Sequence, residues 1–219
     1  MSGATPAAER VPARLYFDLI SPFAYLHFNA LGDLRERLHI EYVPVLFAGL
    51  LKHWGQKGPA EIEPKRKHTF RQVHWLARHH GVRFRTPPRH PFNPLGALRL
   101  VVALGAGESV VRQAFDFVFG EGHDPSDEHE LAALGARLGV ADVAAAVSAP
   151  EVKQKLTDNT QEAVARGVFG VPTLLCRGQL FWGLDSLEML RDFLDRPDLF
   201  ETEEMRRADN LPQGATRRL

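Results

Sequence analysis

The sequence lacks the features that mark a disulfide-bonded, membrane-spanning or nucleic-acid-binding protein. Only one of its 219 residues is a cysteine, Cys176, so no internal disulfide can form and no oxidising compartment is needed. No apolar run reaches the roughly 20 residues of a membrane-spanning helix. Its 27 basic and 27 acidic residues give a formal net charge of zero, without the basic surplus that binds nucleic acid. These absences predict a cytoplasmic globular protein with no membrane or nucleic-acid partner.

The amino-terminal part of the chain predicts a βαβ unit. Residues 14–19 are a short apolar and aromatic run, typical of a buried strand. Ser21 and Pro22 then begin a helix as its N-cap and its first residue. The apolar residues of this helix recur at helical spacing in one stripe, which comprises Phe23, Leu26, Ala30, Leu34 and Leu38. A second strand over residues 40–47 completes the unit, which requires a parallel sheet and a right-handed crossover.

The middle of the chain, residues 48–166, carries helical signals throughout. Each predicted helix ends at a glycine, as a left-handed C-cap requires. The predicted helices are 64–80, 94–104, 108–119, 126–138 and 150–166.

Strand signals return near the carboxyl end. Residues 172–176 and 179–182 flank a two-residue Arg-Gly connection, typical of a hairpin. A last helix follows Asp185, which together with Glu188 has the spacing of a capping box. The order βαβ, helices, ββα predicts an α/β protein with a thioredoxin fold that is interrupted by an all-helical insertion domain.

These elements divide the chain into four parts. Residues 1–12 carry acid and proline without an apolar core, which predicts a disordered segment rather than a secretory signal. Residues 13–47 and 167–200 form the predicted thioredoxin-like domain, and residues 48–166 form the insertion domain. Residues 201–219 are charged and turn-rich, which predicts a C-terminal tail.

The chemistry is expected where the first strand meets the first helix. The amino end of a helix presents unpaired N–H groups and a partial positive charge. The residues there are Ser-Pro-Phe-Ala, beginning at Ser21, so dithiol–disulfide exchange is impossible. The Ser21 hydroxyl can instead donate a hydrogen bond to a thiolate that belongs to a ligand, while the helix lowers the pKa of that thiol. Taken alone, a Ser-Pro pair is more often a simple cap.

Two further elements face this helix end in a thioredoxin fold. Pro172 begins a strand, which is consistent either with an ordinary strand-start proline or with a cis bond that leaves the backbone of Val171 free to pair with a peptide. Asp185 and Ser186 begin the last helix. The Asp185 carboxylate can bind a ligand ammonium while Ser186 and the helix N–H groups bind a ligand carboxylate. A plain capping box is the alternative.

Other side chains have alternative functional and structural explanations. The ten histidines form no clean metal-binding pair, so no metal site is predicted. Phe47, Trp54 and Phe92 can line a flat aromatic pocket or pack in the core. Lys65 can neutralise a substrate carboxylate or belong to a solvated charge run. Asn93, next to Phe92, completes this candidate substrate pocket.

Five sequence blocks together resemble the 2-hydroxychromene-2-carboxylate isomerase family, which is DsbA-like and close to kappa-class glutathione transferases. In order over residues 14–196, they are FDLISPFAY, PKRKHTFRQVHWLARHHGV, HPFNPLGALR, FGVPT and FWGLDSLEML. The resemblance implies an isomerase that uses glutathione as cofactor, acts on a small aromatic carboxylate and forms a homodimer. Reversible thiolate addition, bond rotation and elimination would interconvert the isomers. A kappa-type glutathione transferase and a non-catalytic peptide-binding DsbA-like protein remain as alternatives.

The resemblance also implies individual residue roles. Ser21 would lie beside the glutathione sulfur, Val171 would pair with the cysteinyl backbone, and Asp185 would hold the γ-glutamyl end. Where the family usually has Gly-Asn, this chain has Gly55-Gln56. The implied glutathione-binding residues are Ser21, Gln56, Val171, Pro172, Asp185 and Ser186.

Overall fold

The computed structural model describes residues 10–215, and it contains one four-stranded sheet surrounded by helices. The strands are β1 (Val11–Phe17), β2 (Leu38–Pro44), β3 (Thr173–Cys176) and β4 (Gln179–Trp182). The helices are α1 (Pro22–Ala30), α2 (Leu34–Arg37), α3 (Phe47–Trp54), α4 (Glu63–His79), α5 (Leu95–Ala103), α6 (Glu108–Phe115), α7 (Glu128–Arg137), α8 (Val143–Ser148), α9 (Pro150–Ala165), α10 (Ser186–Asp195) and α11 (Glu203–Asp209). A 3-10 turn spans Pro59–Glu61 and a π-helical turn spans Asp116–Gly120.

The sheet confirms the predicted thioredoxin topology. Its strand order is β2-β1-β3-β4, with β1 parallel to β2 and antiparallel to β3, and β3 antiparallel to β4. Successive side chains of β1 point to opposite faces. Leu15 and Phe17 belong to the larger buried cluster, whereas Tyr16 belongs to a smaller one with Val43 and Leu50. Both faces of the sheet are therefore covered.

Helix α1 departs from the predicted stripe because it is buried on nearly all sides. Its buried residues run almost continuously from Pro22 to Phe28, while Phe23 is only half-buried. The helix also ends earlier than predicted. Gly32 adopts a left-handed φ of 48°, which breaks the helix, and Leu38 belongs to β2. The prediction of one helix extending to Leu38 was wrong.

Within α1, His27 is fully buried, and so are its apolar neighbours Leu26 and Phe28. Within residues 10–215, neither of its ring nitrogens has a hydrogen-bond partner. Burial, and secondarily the charge of Arg35, lowers the pKa of His27 to about 3. The imidazole is therefore neutral at physiological pH.

The helical middle of the chain agrees with the prediction in most places. Four of the five predicted helix-ending glycines have a left-handed φ, namely Gly81, Gly105, Gly139 and Gly167. The fifth, Gly120, does not end a helix in this way, because it lies inside the π-helical turn. A β-carbon there would sit 3.2 Å from the Tyr25 hydroxyl, so this glycine permits close packing against α1.

Residues 82–94 connect α4 to α5 without a helix and contain four prolines, which cannot donate backbone hydrogen bonds. Two differences from the prediction lie towards the ends of the chain. Helix α11 lies within the predicted C-terminal tail and begins at Glu203, directly after Thr202, whose side chain caps it. At the other end, β1 begins at Val11, inside the segment predicted to be disordered. The rest of that predicted segment, residues 1–9, lies outside the described residues.

The insertion and the sheet share one hydrophobic core. Val73, Leu98 and Phe115 from the insertion belong to the same buried cluster as Leu15 and Leu26. The division into two domains therefore stays a prediction about chain organisation. Between residues 10 and 215, no helix is both long and apolar enough to cross a membrane.

Candidate active site

Ser21 lies at the amino end of α1, directly after the turn that follows β1. Its extended backbone (φ −92°, ψ 110°) places the side chain over the first helical turn, where Oγ accepts a hydrogen bond from the N–H of Ala24 at 3.2 Å. The hydroxyl itself donates to the carbonyl of Val171 at 3.4 Å. The cap and the functional assignment are therefore compatible, because the capping bond uses an acceptor lone pair and leaves the proton directed at the Val171 turn.

The opposing turn is formed by residues that precede β3. The Val171–Pro172 peptide bond is cis. The carbonyl of Pro172 accepts a hydrogen bond from the N–H of Gly183 at 2.9 Å, and the Thr173 hydroxyl donates to the carbonyl of Gly170 at 2.7 Å. The first bond holds the turn against the β4–α10 connection, and the second lies within the turn itself.

The amino end of α10 does not contain the predicted capping box. Asp185 has helical backbone angles, and its side chain makes no capping hydrogen bond within the described chain. Glu188 instead pairs with Arg191 at 2.8 Å. The Ser186 hydroxyl donates to the carbonyl of Gly183 at 2.9 Å. Asp185 is exposed, so its carboxylate remains available to a ligand.

A cavity of about 730 Å³ joins these elements. Its walls come from α1, α4, the Val171–Pro172 turn, the β4–α10 connection and α10. The apolar lining includes Phe23, Leu76, Val82, Leu184 and Leu187, and the polar lining includes Asn29, Gln72, His80, Trp182, Asp185, Glu188 and Arg191. The Ser21 side chain does not line the cavity, but its hydroxyl contacts Val171, which does.

The remaining predicted site residues lie elsewhere. Gln56 is exposed in the loop after α3, and neither it nor any of the five candidate substrate residues lines the 730 Å³ cavity. Phe92 packs in the core because it is buried with β1 and α1, and the Asn93 side chain accepts from the N–H of Leu95. Lys65 lies in a separate surface groove. The prediction grouped these residues into one pocket because the sequence does not reveal which faces of the insertion pack against α1.

Two of those aromatic residues contact the turn regions from outside the cavity. The indole N–H of Trp54 donates to the carbonyl of Val168 at 3.0 Å. The side chain of Phe47 packs against the smaller buried cluster, which includes Val171. Both residues therefore support the segment that carries the cis proline.

Asp18, which the sequence reasoning did not single out, is a fully buried carboxyl group three residues before Ser21. It accepts hydrogen bonds from the N–H groups of Ile20 at 2.9 Å and Phe47 at 2.8 Å, and thereby ties the α1 turn to the start of α3. Burial raises the pKa of Asp18 to about 7, although these two bonds act in the opposite direction. The sequence did carry a signal for a buried carboxyl group, since an acidic residue stands within the apolar run FDLI at the end of the first strand.

The Asp18 carboxyl is expected to make stability fall as the pH rises. Between its ordinary pKa of 3.8 and about 7, the native state keeps a proton that the unfolded state releases. The free energy of unfolding then decreases by at most about 1.4 kcal/mol per pH unit. Urea unfolding of Asp18→Asn over this pH range should lack this contribution. Asp124→Asn is the control, because the Asp124 carboxylate is paired with Arg89 and its pKa is lowered from 3.8. Its own contribution to the slope therefore lies below pH 3.8, and this variant should keep the slope of the parent protein between pH 3.8 and about 7.

His90 is a second residue that the sequence reasoning missed. Its Nε2 donates to the carbonyl of Ile20 at 2.8 Å, directly before Ser21. Its ring lies between Phe70 and Phe92 in edge-to-face contacts, and burial lowers the pKa of the imidazole. His90 therefore supports the turn as a neutral donor.

Cys176 is buried in β3, and burial raises the pKa of its thiol. The thiol is therefore unsuited to act as a nucleophile. Residues 10–215 contain no cluster of three or more histidine, cysteine, aspartate or glutamate side chains that is placed to hold a metal ion.

Comparison with known proteins assigns this arrangement to a family. Residues 14–195 match the family model of the DSBA-like thioredoxin domain. The chain is 31% identical to a 2-hydroxychromene-2-carboxylate isomerase of Sphingobium xenophagum, over 82% of this chain and 95% of the relative. It is 29% identical to glutathione S-transferase kappa 2 of Caenorhabditis elegans, over 86% and 94% of the two chains.

Structural comparison gives the same assignment. A solved 2-hydroxychromene-2-carboxylate isomerase superposes with a TM-score of 0.75 at 25% identity, covering 92% of this chain and all of that one. The chain therefore belongs to the 2-hydroxychromene-2-carboxylate isomerase family, whose members are enzymes of the isomerase class built on a DsbA-like thioredoxin fold and similar in sequence to kappa-class glutathione transferases.

Proposed function

We propose that this protein is a glutathione-dependent isomerase of small aromatic carboxylates similar to 2-hydroxychromene-2-carboxylate. The observation that carries the proposal is the Ser21 hydroxyl, which sits at the amino end of α1 and is directed at the cis-proline turn, beside a cavity large enough for a small-molecule ligand. Family relatives that are named isomerases and kappa-class transferases support it. We further propose that the enzyme works as a homodimer in the cytoplasm, as the resemblance and the composition suggest.

The residues around this cavity fit glutathione in three respects. The Ser21 proton is directed toward a backbone carbonyl at the long distance of 3.4 Å, so redirecting it to a sulfur gives up only a weak bond. Asp185 presents a carboxylate that no capping bond uses, which suits the ammonium of a γ-glutamyl group. The one thiol of the chain, Cys176, is buried, so a sulfur nucleophile has to come from the ligand. Ser186, Val171 and Pro172 would complete the binding residues, and Gln56 is retained as a proposed contact outside the cavity.

Bound glutathione would supply a thiolate that adds reversibly to a conjugated substrate, so that a double bond becomes a rotatable single bond before elimination. The protein would favour that chemistry by electrostatics and position. The amino end of α1 provides a fixed positive potential, and Ser21 provides one hydrogen-bond donor for the anion. The apolar side chains Phe23, Leu184 and Leu187 line the cavity, and their low polarity would strengthen both effects.

Asp185→Asn is expected to weaken glutathione binding about ten-fold, since it removes a charge-assisted hydrogen bond of roughly 1.5 kcal/mol. Isothermal titration calorimetry with reduced glutathione measures this directly. Asp192→Asn is the matched control, because Asp192 also lies on α10 and pairs with Arg196 but does not line the cavity. That variant should bind within about two-fold of the parent protein. Absence of binding by the parent protein at millimolar glutathione would remove the proposal.

The transferase alternative is favoured by the kappa-class relatives. The two activities differ in whether glutathione is consumed. We expect the free thiol concentration to stay constant while a conjugated aromatic keto acid is converted to its isomer. Stoichiometric loss of free thiol would instead identify a transferase. Stabilisation by an unfolded peptide, without any by glutathione, would identify the non-catalytic alternative.

A further inference from the structure

Three exposed aromatic side chains converge on the short segment of residues 168–172 that carries the cis proline. Trp182 is 52% exposed, Trp54 is 43% exposed and Phe169 is 37% exposed. The rings of Phe169 and Trp182 are in edge-to-face contact, with their centroids 5.1 Å apart. Trp54 is attached to the same segment by its hydrogen bond to the carbonyl of Val168. We call these three side chains the aromatic platform.

The backbone around Trp182 is arranged to hold its indole beside the turn. Trp182 is the last residue of β4 and lies opposite Thr173 in the sheet register. Gly170 leaves room for the indole, since a β-carbon at Gly170 would lie 2.6 Å from the indole nitrogen. The Trp182 side chain also lines the cavity together with Val171 and Pro172. Trp182 therefore connects the platform to the cavity into which the thiol would bind, while Phe169 and Trp54 lie beside that cavity without lining it.

An exposed cluster of large aromatic side chains calls for a functional explanation, because it leaves apolar surface in water. Trp75 provides an internal comparison. It is 62% exposed on α4, where its ring stacks on His79 with centroids 5.2 Å apart, and it does not line the cavity. Only the platform tryptophans combine exposure with contact to the cis-proline segment.

We propose that the aromatic platform receives the planar ring of the substrate, so that the conjugated carbon next to that ring lies over the cis-proline turn where the thiol would be held. The proposal rests on the proposed function and names the part of the chain that selects aromatic substrates. An aromatic ring is the occupant we infer, because an indole face and an edge-to-face neighbour present the geometry that aromatic pairs prefer. A saturated ring of the same size lacks this complementarity.

Calorimetric titration with 2-naphthoate tests this, with the protein at saturating glutathione and also without it. Trp182→Leu should raise the dissociation constant of 2-naphthoate about five- to ten-fold, which corresponds to the loss of one aromatic pair. Trp182→Phe should restore binding to within about two-fold, and Trp75→Leu should leave it unchanged. Cyclohexanecarboxylate should bind the parent protein more weakly and should not respond to the Trp182 substitutions.

Equal binding of 2-naphthoate to Trp182→Leu and to the parent protein would overturn the platform while leaving glutathione binding, and hence the proposed function, intact. A parent protein that binds 2-naphthoate normally but does not bind glutathione would overturn the proposed function and leave the binding of an aromatic ring to the platform intact. Sedimentation of each variant separates a third outcome. If Trp182→Leu converts a dimer into a monomer without changing 2-naphthoate affinity, the patch is an interface between copies and the platform is wrong.

Discussion

Ser21→Ala is expected to lower kcat about 100-fold, the typical loss when one preorganised donor to a reacting anion is removed. It should also raise the pKa of the thiol of bound glutathione, because the anion loses its hydrogen-bond donor. The ultraviolet absorbance of the thiolate, followed against pH in the complex, measures that pKa separately from turnover. Glutathione affinity at pH values where the thiol is protonated should change little, since the donor acts on the charged form.

A structural role of Ser21 has to be separated from this effect. Removing its capping bond to Ala24 should cost about 1 kcal/mol of stability in any case. Asp142→Ala is the matched control, because Asp142 caps α8 in the same way, by accepting from the N–H of Ala145 at 2.8 Å. This control should lose comparable stability and keep full activity. If both variants lose activity in parallel, or if Ser21→Ala keeps the thiol pKa of the parent complex, the assigned role of Ser21 is wrong.

His27→Leu is expected to stabilise the protein, and by more at acidic pH than at neutral pH. At neutral pH the substitution removes two buried ring nitrogens that have no hydrogen-bond partner among the described residues. An unsatisfied buried polar group costs roughly 1–3 kcal/mol, so a gain of this order is expected from urea unfolding. Leucine is close to histidine in volume, and the neighbours of His27 along α1, Leu26 and Phe28, are buried and apolar.

The pH dependence of His27 follows from its lowered pKa. At pH values between about 3 and 6.5, the ordinary pKa of histidine, the unfolded state binds a proton at His27 that the native state does not bind. Stability of the parent protein therefore falls as the pH falls below 6.5, by at most about 1.4 kcal/mol per pH unit from this group. Asp18 contributes the opposite slope between 3.8 and about 7. The two slopes oppose each other in the parent protein, and each single variant should reveal the other.

His68→Leu is the control for His27→Leu, since His68 is an exposed histidine on α4. It should change the stability at neutral pH by no more than about 0.5 kcal/mol. A His27→Leu protein that is less stable than the parent, or that keeps the same dependence on pH from 4 to 6.5, would show that His27 has a polar partner or is not buried.

Local sequence signals were sufficient for the order of the strands and for the serine cap at the amino end of α1. Short-range patterns decide strands, helix caps and hairpin turns, so the βαβ and ββα units and the Ser21 cap could be predicted from neighbouring residues. The fold was confirmed for the same reason, because a parallel β1–β2 pair allows few topologies. The predicted helix through Leu38 failed at Gly32, since spacing alone did not reveal that the helix would be buried all round.

Tertiary structure alone decided which of the candidate residues share a cavity. Asp18, His90 and Trp182 gained their roles from contacts with residues distant in sequence, such as Phe47 for Asp18 and the segment of residues 168–172 for Trp182. Phe92, Asn93 and Lys65 were excluded from the cavity in the same way. The chain by itself determined that a serine, and no cysteine, occupies the amino end of α1, because residue identity is local. The side chains that surround that serine depend on how the insertion packs on α1, and this long-range packing energy leaves no periodic signal in the sequence.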